Sequence, residues 1–256
     1  MVDLTDAVIM VTGGASGIGA SCVSEFTQRG ARVAILDIAE EPGRRVAFSQ
    51  PGGRGFFVKL DVASQTGWNE AFGAVESQWG QVNGLVNCAA IASPEDDLDT
   101  VDEALWNRIL EINLTGTMLG CQAFVLRADP KDTGAIVNFS SIQGQVGVGD
   151  ALAYAASKIG VHMLTKSIAQ HCMSRGYRIR CNCISPGYID TPMVTVSAMS
   201  NESTAKEHRE ALGARNLMRR LGAPEELAKT VAFLLSNDAD FVNGSDYTVD
   251  GGYTAV

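Results

Sequence analysis

Tyr154 and Lys158 stand four residues apart at the start of a helical-looking stretch, in the pentapeptide Tyr154-Ala155-Ala156-Ser157-Lys158. That spacing places both side chains on one helix face, with the ammonium near the phenol. A free phenol titrates at about 10, too high for a base at neutral pH, and an adjacent cation favours the phenolate. The pair therefore reads as an acid/base centre. Ser140-Ser141 ends an apolar run upstream, where the Ser141 hydroxyl can hydrogen-bond a substrate oxygen and hold it for proton exchange.

A second constellation lies near the N-terminus. Thr12-Gly13-Gly14-Ala15-Ser16-Gly17-Ile18-Gly19 follows an apolar strand and precedes a helix. Glycines at that junction let backbone approach a pyrophosphate, while the helix N-terminus supplies N–H donors and partial positive charge. Asp37 ends the next strand, 18 residues after Gly19. Its carboxylate can accept hydrogen bonds from both adenosine ribose hydroxyls and would repel a 2′-phosphate. Ala15, Ser16, Ile38 and Ala39 offer no cation for that phosphate, so NAD is favoured over NADP. Asp61-Val62 and Asn87-Cys88-Ala89-Ala90 fall at the ends of two further strands, where open α/β sheets bind ligands.

These residues need a scaffold, and the alternation of short apolar runs with helical stretches supplies it. Strands are expected at Ala7–Thr12, Arg32–Asp37, Gly55–Leu60, Leu85–Asn87, Ala135–Ser140, Ile179–Ile184 and Asp246–Val249. Helices are expected to begin near Gly17, Glu40 and Ser64, with a longer helical region from Val101 to Ala128. The strand runs are nearly continuous in apolar residues, as when helices cover both faces of a sheet. The expectation is an α/β fold: one doubly wound parallel sheet spanning residues 1–256 as a single dinucleotide-binding and catalytic domain. The polar segment 191–215 is expected to be a lid.

Composition narrows the partners. Among 256 residues, 29 acidic against 20 basic side chains give a net charge of −9, which disfavours nucleic acid and anionic membrane surfaces. The N-terminal stretch lacks the basic start and long apolar core of a secretory signal. Cys22, Cys88, Cys121, Cys172, Cys181 and Cys183 form no CxxC pair, and no His cluster has zinc-ligand spacing. Reduced thiols, no metal and a cytoplasmic location are the resulting expectations.

Together TGGASGIG at 12–19, Asp37, Asp61, NCAA at 87–90, Asn113, NFSS at 138–141, YAASK at 154–158 and PGYIDTPM at 186–193 resemble the short-chain dehydrogenase/reductase family. The resemblance covers essentially the whole chain and implies a Rossmann-type fold. It also implies a catalytic tetrad of Asn113, Ser141, Tyr154 and Lys158. Ser141 is preferred to Ser140 because it precedes Tyr154 by 13 residues, the usual family interval. In that scheme Tyr154 takes the alcohol proton as hydride passes to nicotinamide, and Lys158 also holds the nicotinamide ribose. Asn113 is implied to bend its helix and hold a water on a proton path. Gly13, Ser16, Ile18, Asp37, Asp61, Val62, Asn87 and Ala89 match the cofactor cradle, joined by Tyr154 and Lys158. Pro186, Gly187, Ile189 and Thr191 match the part that seats the carboxamide and pyrophosphate. The usual Asn-Asn-Ala-Gly is here Asn87-Cys88-Ala89-Ala90, and Ala90 has less conformational freedom than glycine.

By the same resemblance Gln143, Val148, Tyr188 and Val194 line a substrate pocket that is mainly apolar, with Arg209 and Arg215 able to intrude. The expected substrate is a neutral, bulky or cyclic secondary alcohol or ketone such as a hydroxysteroid, and the expected assembly is a homotetramer. The competing readings are a 3-oxoacyl-thioester reductase of the same family and a non-catalytic NAD-binding sensor. Asp37 and the net negative charge oppose the first, which normally uses NADPH and docks an acidic carrier. An intact tetrad opposes the second.

Overall fold

Seven strands are read in a computed structural model that describes residues 2–194 and 205–255: β1 (Val8–Thr12), β2 (Arg32–Asp37), β3 (Gly55–Lys59), β4 (Gly84–Asn87), β5 (Thr133–Phe139), β6 (Arg178–Pro186) and β7 (Asp246–Val249). All pair in parallel in the order β3-β2-β1-β4-β5-β6-β7. The chain winds outward from β1 to β3, then crosses to β4. The carboxyl ends of β1 and β4 therefore diverge at a switch point, where such sheets bind ligands.

Successive residues of the central strands bury into opposite layers. Met10, Leu36, Leu85 and Ile136 join one apolar cluster with Trp68, Phe72 and Phe124. Val11, Ile35, Val86 and Val137 join the other with Phe26, Leu227 and Val231. Both faces are thus covered, which explains why the strands read as continuous apolar runs.

The helices are α1 (Gly17–Gln28), α2 (Glu40–Phe48), α3 (Gln65–Trp79), α4 (Glu103–Leu110), α5 (Gly116–Val125), α6 (Leu152–Ser174), α7 (Ala205–Arg215) and α8 (Pro224–Leu235). The sequence-based starts at Gly17 and Glu40 coincide with the observed ones, and Ser64 is the N-cap of α3, accepting from the Gly67 amide at 3.0 Å. The helical region expected from Val101 to Ala128 is not uniform. Residues Glu111–Thr115 form a π-helical turn between α4 and α5, and such bulges are frequent at functional sites. Residues 195–204 of the segment expected to be a lid lie outside the described residues.

Candidate active site

Two clefts open side by side beyond the carboxyl edge of the sheet and share Ile18, Cys88, Ala90, Thr191 and Met193 in their walls. One is lined by the glycine turn and Asp37, the other by Ser141, Tyr154 and Lys158.

The glycine turn is locked to the next loop. Gly13 has φ +64, and a Cβ there would lie 3.0 Å from the Ala89 backbone, so the two loops touch only because the residue is glycine. Thr12 Oγ1 accepts from the Cys88 and Ala89 amides at 3.0 and 3.1 Å. Ser16 precedes α1 in extended conformation and its hydroxyl makes no capping bond. Asp37 accepts from the Ala15 amide at 3.1 Å through Oδ2 and from the Ala39 amide at 2.9 Å through Oδ1. The carboxylate is thereby aimed into the cleft beside Asp61, Val62 and Ala89. Ala90 is not among the residues with positive φ, so the alanine in place of the family's glycine carries no strain.

A helix N-terminus, glycine-turn backbone and a fixed carboxylate form a donor and acceptor set that fits a dinucleotide. Arg108 of α4 also lines this cleft, in an ion pair with Glu111 at 2.9 Å. Arg108 lies far along the chain from the glycine turn, so nothing in the local sequence marks it as part of this cleft.

The second cleft depends on how α6 begins. Asp96, almost fully buried, accepts from the Ala153 and Tyr154 amides at 2.8 and 2.9 Å, and its carbonyl accepts from Leu152. A carboxylate from a distant loop thus caps the helix that carries Tyr154, satisfying donors that its own N-cap, Ala151, leaves open. No local motif marks Asp96 in the sequence. One turn further, Lys158 Nζ donates to the Phe139 carbonyl at 2.9 Å and lies 5.4 Å from the Tyr154 ring centre. Ser140 Oγ donates to the Lys158 carbonyl at 2.8 Å, so Ser140 fixes the helix, while Ser141 Oγ accepts from the Gln143 amide at 3.2 Å and stands beside the Tyr154 phenol.

Burial dominates the titration of this group. Tyr154 keeps part of its surface open to the cleft, yet the dense protein around it pushes the phenol up to about 12, against the lowering effect of the Ser141 hydrogen bond. Burial likewise pulls Lys158 down to about 8. The neighbouring cation alone would favour the phenolate; desolvation opposes it and sets the direction.

Three residues expected at the site stand elsewhere. Asn113, in the π turn and fully buried, bonds the Ile91 amide and carbonyl at 2.8 and 2.9 Å and Ser157 Oγ at 3.2 Å. Its side chain staples the loop after β4 to α6 and lines neither cleft. Asn87 does not line the cofactor cleft either: its amide turns inward and donates to Asn138 Oδ1 at 2.9 Å, in a buried network that continues to Thr165. Val148 is absent from the wall of the second cleft, where Ala92, Pro94 and Ile142 stand instead; Gln143, Tyr188 and Val194 are in place. Pro186, Gly187, Ile189 and Thr191 also line this cleft. Neither Arg209 nor Arg215 does: Arg209 pairs with Asp190, and Arg215 lies 3.5 Å from the Tyr188 hydroxyl.

The family model described as enoyl-(acyl carrier protein) reductase matches residues 13–254. The chain belongs to the short-chain dehydrogenase/reductase family. Members of this oxidoreductase family bind a nicotinamide cofactor. The chain is similar to the cis-4-hydroxycyclohexanecarboxylate dehydrogenase of Sinomonas cyclohexanicum, at 40% identity over 98% of each chain. It is similar to the NADP-dependent (R)-specific alcohol dehydrogenase of Lentilactobacillus kefiri, at 35% identity over 98% of each. It is also similar to the cyclopentanol dehydrogenase of Comamonas sp. (strain NCIMB 9872), at 37% over 98% of each. Among the described residues no helix is long and apolar enough to cross a membrane.

Proposed function

We propose that this oxidoreductase uses NAD(H) to interconvert a neutral, cyclic or bulky secondary alcohol and its ketone. The observation that carries the reading is the pair of hydroxyls, Ser141 and Tyr154, set together in a cleft whose other walls are mainly apolar. In this reading the ring of the substrate packs against Ala92, Pro94, Ile142 and Val194, which line the cleft, and its oxygen is met by the two hydroxyls. When bound, the nicotinamide accepts or returns the hydride. Ser141 holds the substrate oxygen, and Tyr154 Oη gives or takes its proton. Lys158 positions Tyr154 from below, and Asn113 acts as a positioning residue through Ile91 and Ser157. Cyclic-alcohol substrates are in the names of two of the relatives above, which supports the cyclic part of this choice, and cyclopentanol is also neutral.

NAD is favoured over NADP because Asp37 is anchored by two amides in the cofactor cleft, where its charge opposes a 2′-phosphate. The L. kefiri relative shows that the scaffold also admits NADP, so the preference rests on this carboxylate. The segment 191–215 acts as a lid, which Thr191, Met193 and Val194 support by lining the clefts at its start. Ile159 and Met163, exposed on α6, suit the homotetramer expected of the family. An acyl-carrier substrate, suggested by the description of the family model, is disfavoured by the net charge of −9.

Purified protein mixed with NAD or NADP and a panel of cyclopentanols, cyclohexanols, hydroxysteroids and linear secondary alcohols tests the reading through formation of reduced nicotinamide. The expected result is NAD-dependent turnover concentrated in the cyclic group. Turnover only of acyl thioesters, or equal rates with both cofactors, overturns it.

A further inference from the structure

On the side of α6 one turn beyond Lys158, four side chains converge on Asp246 at the start of β7. Ser185 Oγ lies 2.8 Å from both carboxylate oxygens, Cys183 Sγ 3.2 Å from Oδ1, and His162 Nδ1 3.1 Å from Oδ2. Gln145 Nε2 donates to Oδ2 at 2.8 Å from the rim. The proposed reaction uses none of these groups. Cys183 and Asp246 are direct partners in the β6–β7 register, and His162 is inside the long helix α6, so the backbone holds all three in place.

We propose that His162, Cys183 and Asp246 form a binding site for a divalent cation of borderline softness, zinc above all. The His nitrogen, Cys sulfur and carboxylate oxygen lie within 4.8 Å of one another. Ligands at about 2.0 Å for nitrogen and oxygen and about 2.3 Å for sulfur, arranged tetrahedrally, stand about 3.3–3.5 Å apart. His162 Nδ1 approaches Oδ2 of Asp246 at 3.1 Å and Cys183 Sγ approaches Oδ1 at 3.2 Å, so the carboxylate stands between the other two donors, and an ion is held once the three side chains turn their donor atoms onto it. Mixed nitrogen, sulfur and oxygen donors select zinc over magnesium or calcium, which take oxygen. On binding, the Cys183 S–H bond breaks, its proton leaves to solvent and a metal–sulfur bond forms. Thiolate and carboxylate then balance the charge of the dication.

Ser185 Oγ is positioned to hydrogen-bond the ligating carboxylate as an outer-shell partner. Gln145 stands at the rim beside Asp246, and the side chains of His162 and Asp246 are 19% and 10% exposed, which gives an ion a way in while Cys183 is buried behind them. Nothing in the sequence marks the site, because its ligands come from a helix and two strands that are separated along the chain.

Titration of the reduced, metal-free protein with Co²⁺ tests the proposal by spectroscopy without any substrate. The expected result is one ion per chain, a thiolate-to-cobalt charge-transfer band in the near ultraviolet, and visible bands of four-coordinate intensity that Zn²⁺ bleaches. Cys183→Ser should remove the charge-transfer band, and Cys88→Ser should keep it. Should Cys183→Ser fail to fold, His162→Ala on the partly exposed helix face serves instead, with cobalt affinity lowered by roughly tenfold or more. Absence of cobalt binding, a band that survives Cys183→Ser, or unchanged affinity in His162→Ala overturns the site.

Discussion

Asp37 and Tyr154 stand in adjoining clefts and are prepared in different ways. Asp37 is held by two backbone amides at 2.9 and 3.1 Å beside a turn made possible by Gly13. Tyr154 is set by packing: Asp96 fixes its backbone, Lys158 lies beneath its ring, and burial pushes its phenol up to about 12. The nucleotide side is a matter of backbone geometry and one fixed charge. The alcohol side is a matter of desolvation, and the two should respond differently to substitution.

The sharpest separation comes from Tyr154→Phe, which removes the group that exchanges the proton. Turnover should fall by roughly 10⁴-fold, measured by initial rates, while NADH binding followed by fluorescence stays close to wild type. Loss of both together would break the division between the clefts. The converse substitution, Asp37→Ser, takes away the charge opposing a 2′-phosphate. The ratio of kcat/KM for NAD over NADP should drop by roughly 10²-fold at unchanged substrate KM. Smaller still is the effect of Asp96→Asn, which exchanges a carboxylate acceptor for an amide at the start of α6. It should cost about 1–2 kcal/mol in urea unfolding and lower kcat more than it changes cofactor binding.

The same contrast explains what could be read from the sequence. The nucleotide side is encoded locally: strand, glycine turn, helix and Asp37 occur within residues 8–37, and each type has a direct backbone consequence. The strands too were legible, because a sheet buried on both faces demands unbroken apolar runs. Asn87 and Asn113 occupy the positions that the family pattern gives them, yet their side chains point to Asn138 and to Ile91, partners 51 and 22 residues away. Asp96 caps a helix that begins 56 residues later, with no local signal to announce it. The phenol's shift was misread for a related reason: spacing reveals the nearby lysine, whereas the enclosing protein exists only once the chain has folded.

The central claim is that, in the cofactor-free protein, burial raises the Tyr154 phenol above its ordinary value despite the neighbouring lysine. A raised phenol pKa means that the folded protein holds this proton more tightly than the unfolded chain, so ionisation is displaced to higher pH. Ultraviolet difference spectra between wild type and Tyr154→Phe, recorded on the cofactor-free protein from about pH 6 to about pH 10, report this ionisation directly. The expected difference contains no tyrosinate absorption over that range. Tyrosinate that grows in near neutral pH and vanishes in Tyr154→Phe would show that the Lys158 charge outweighs burial, and would contradict the claim.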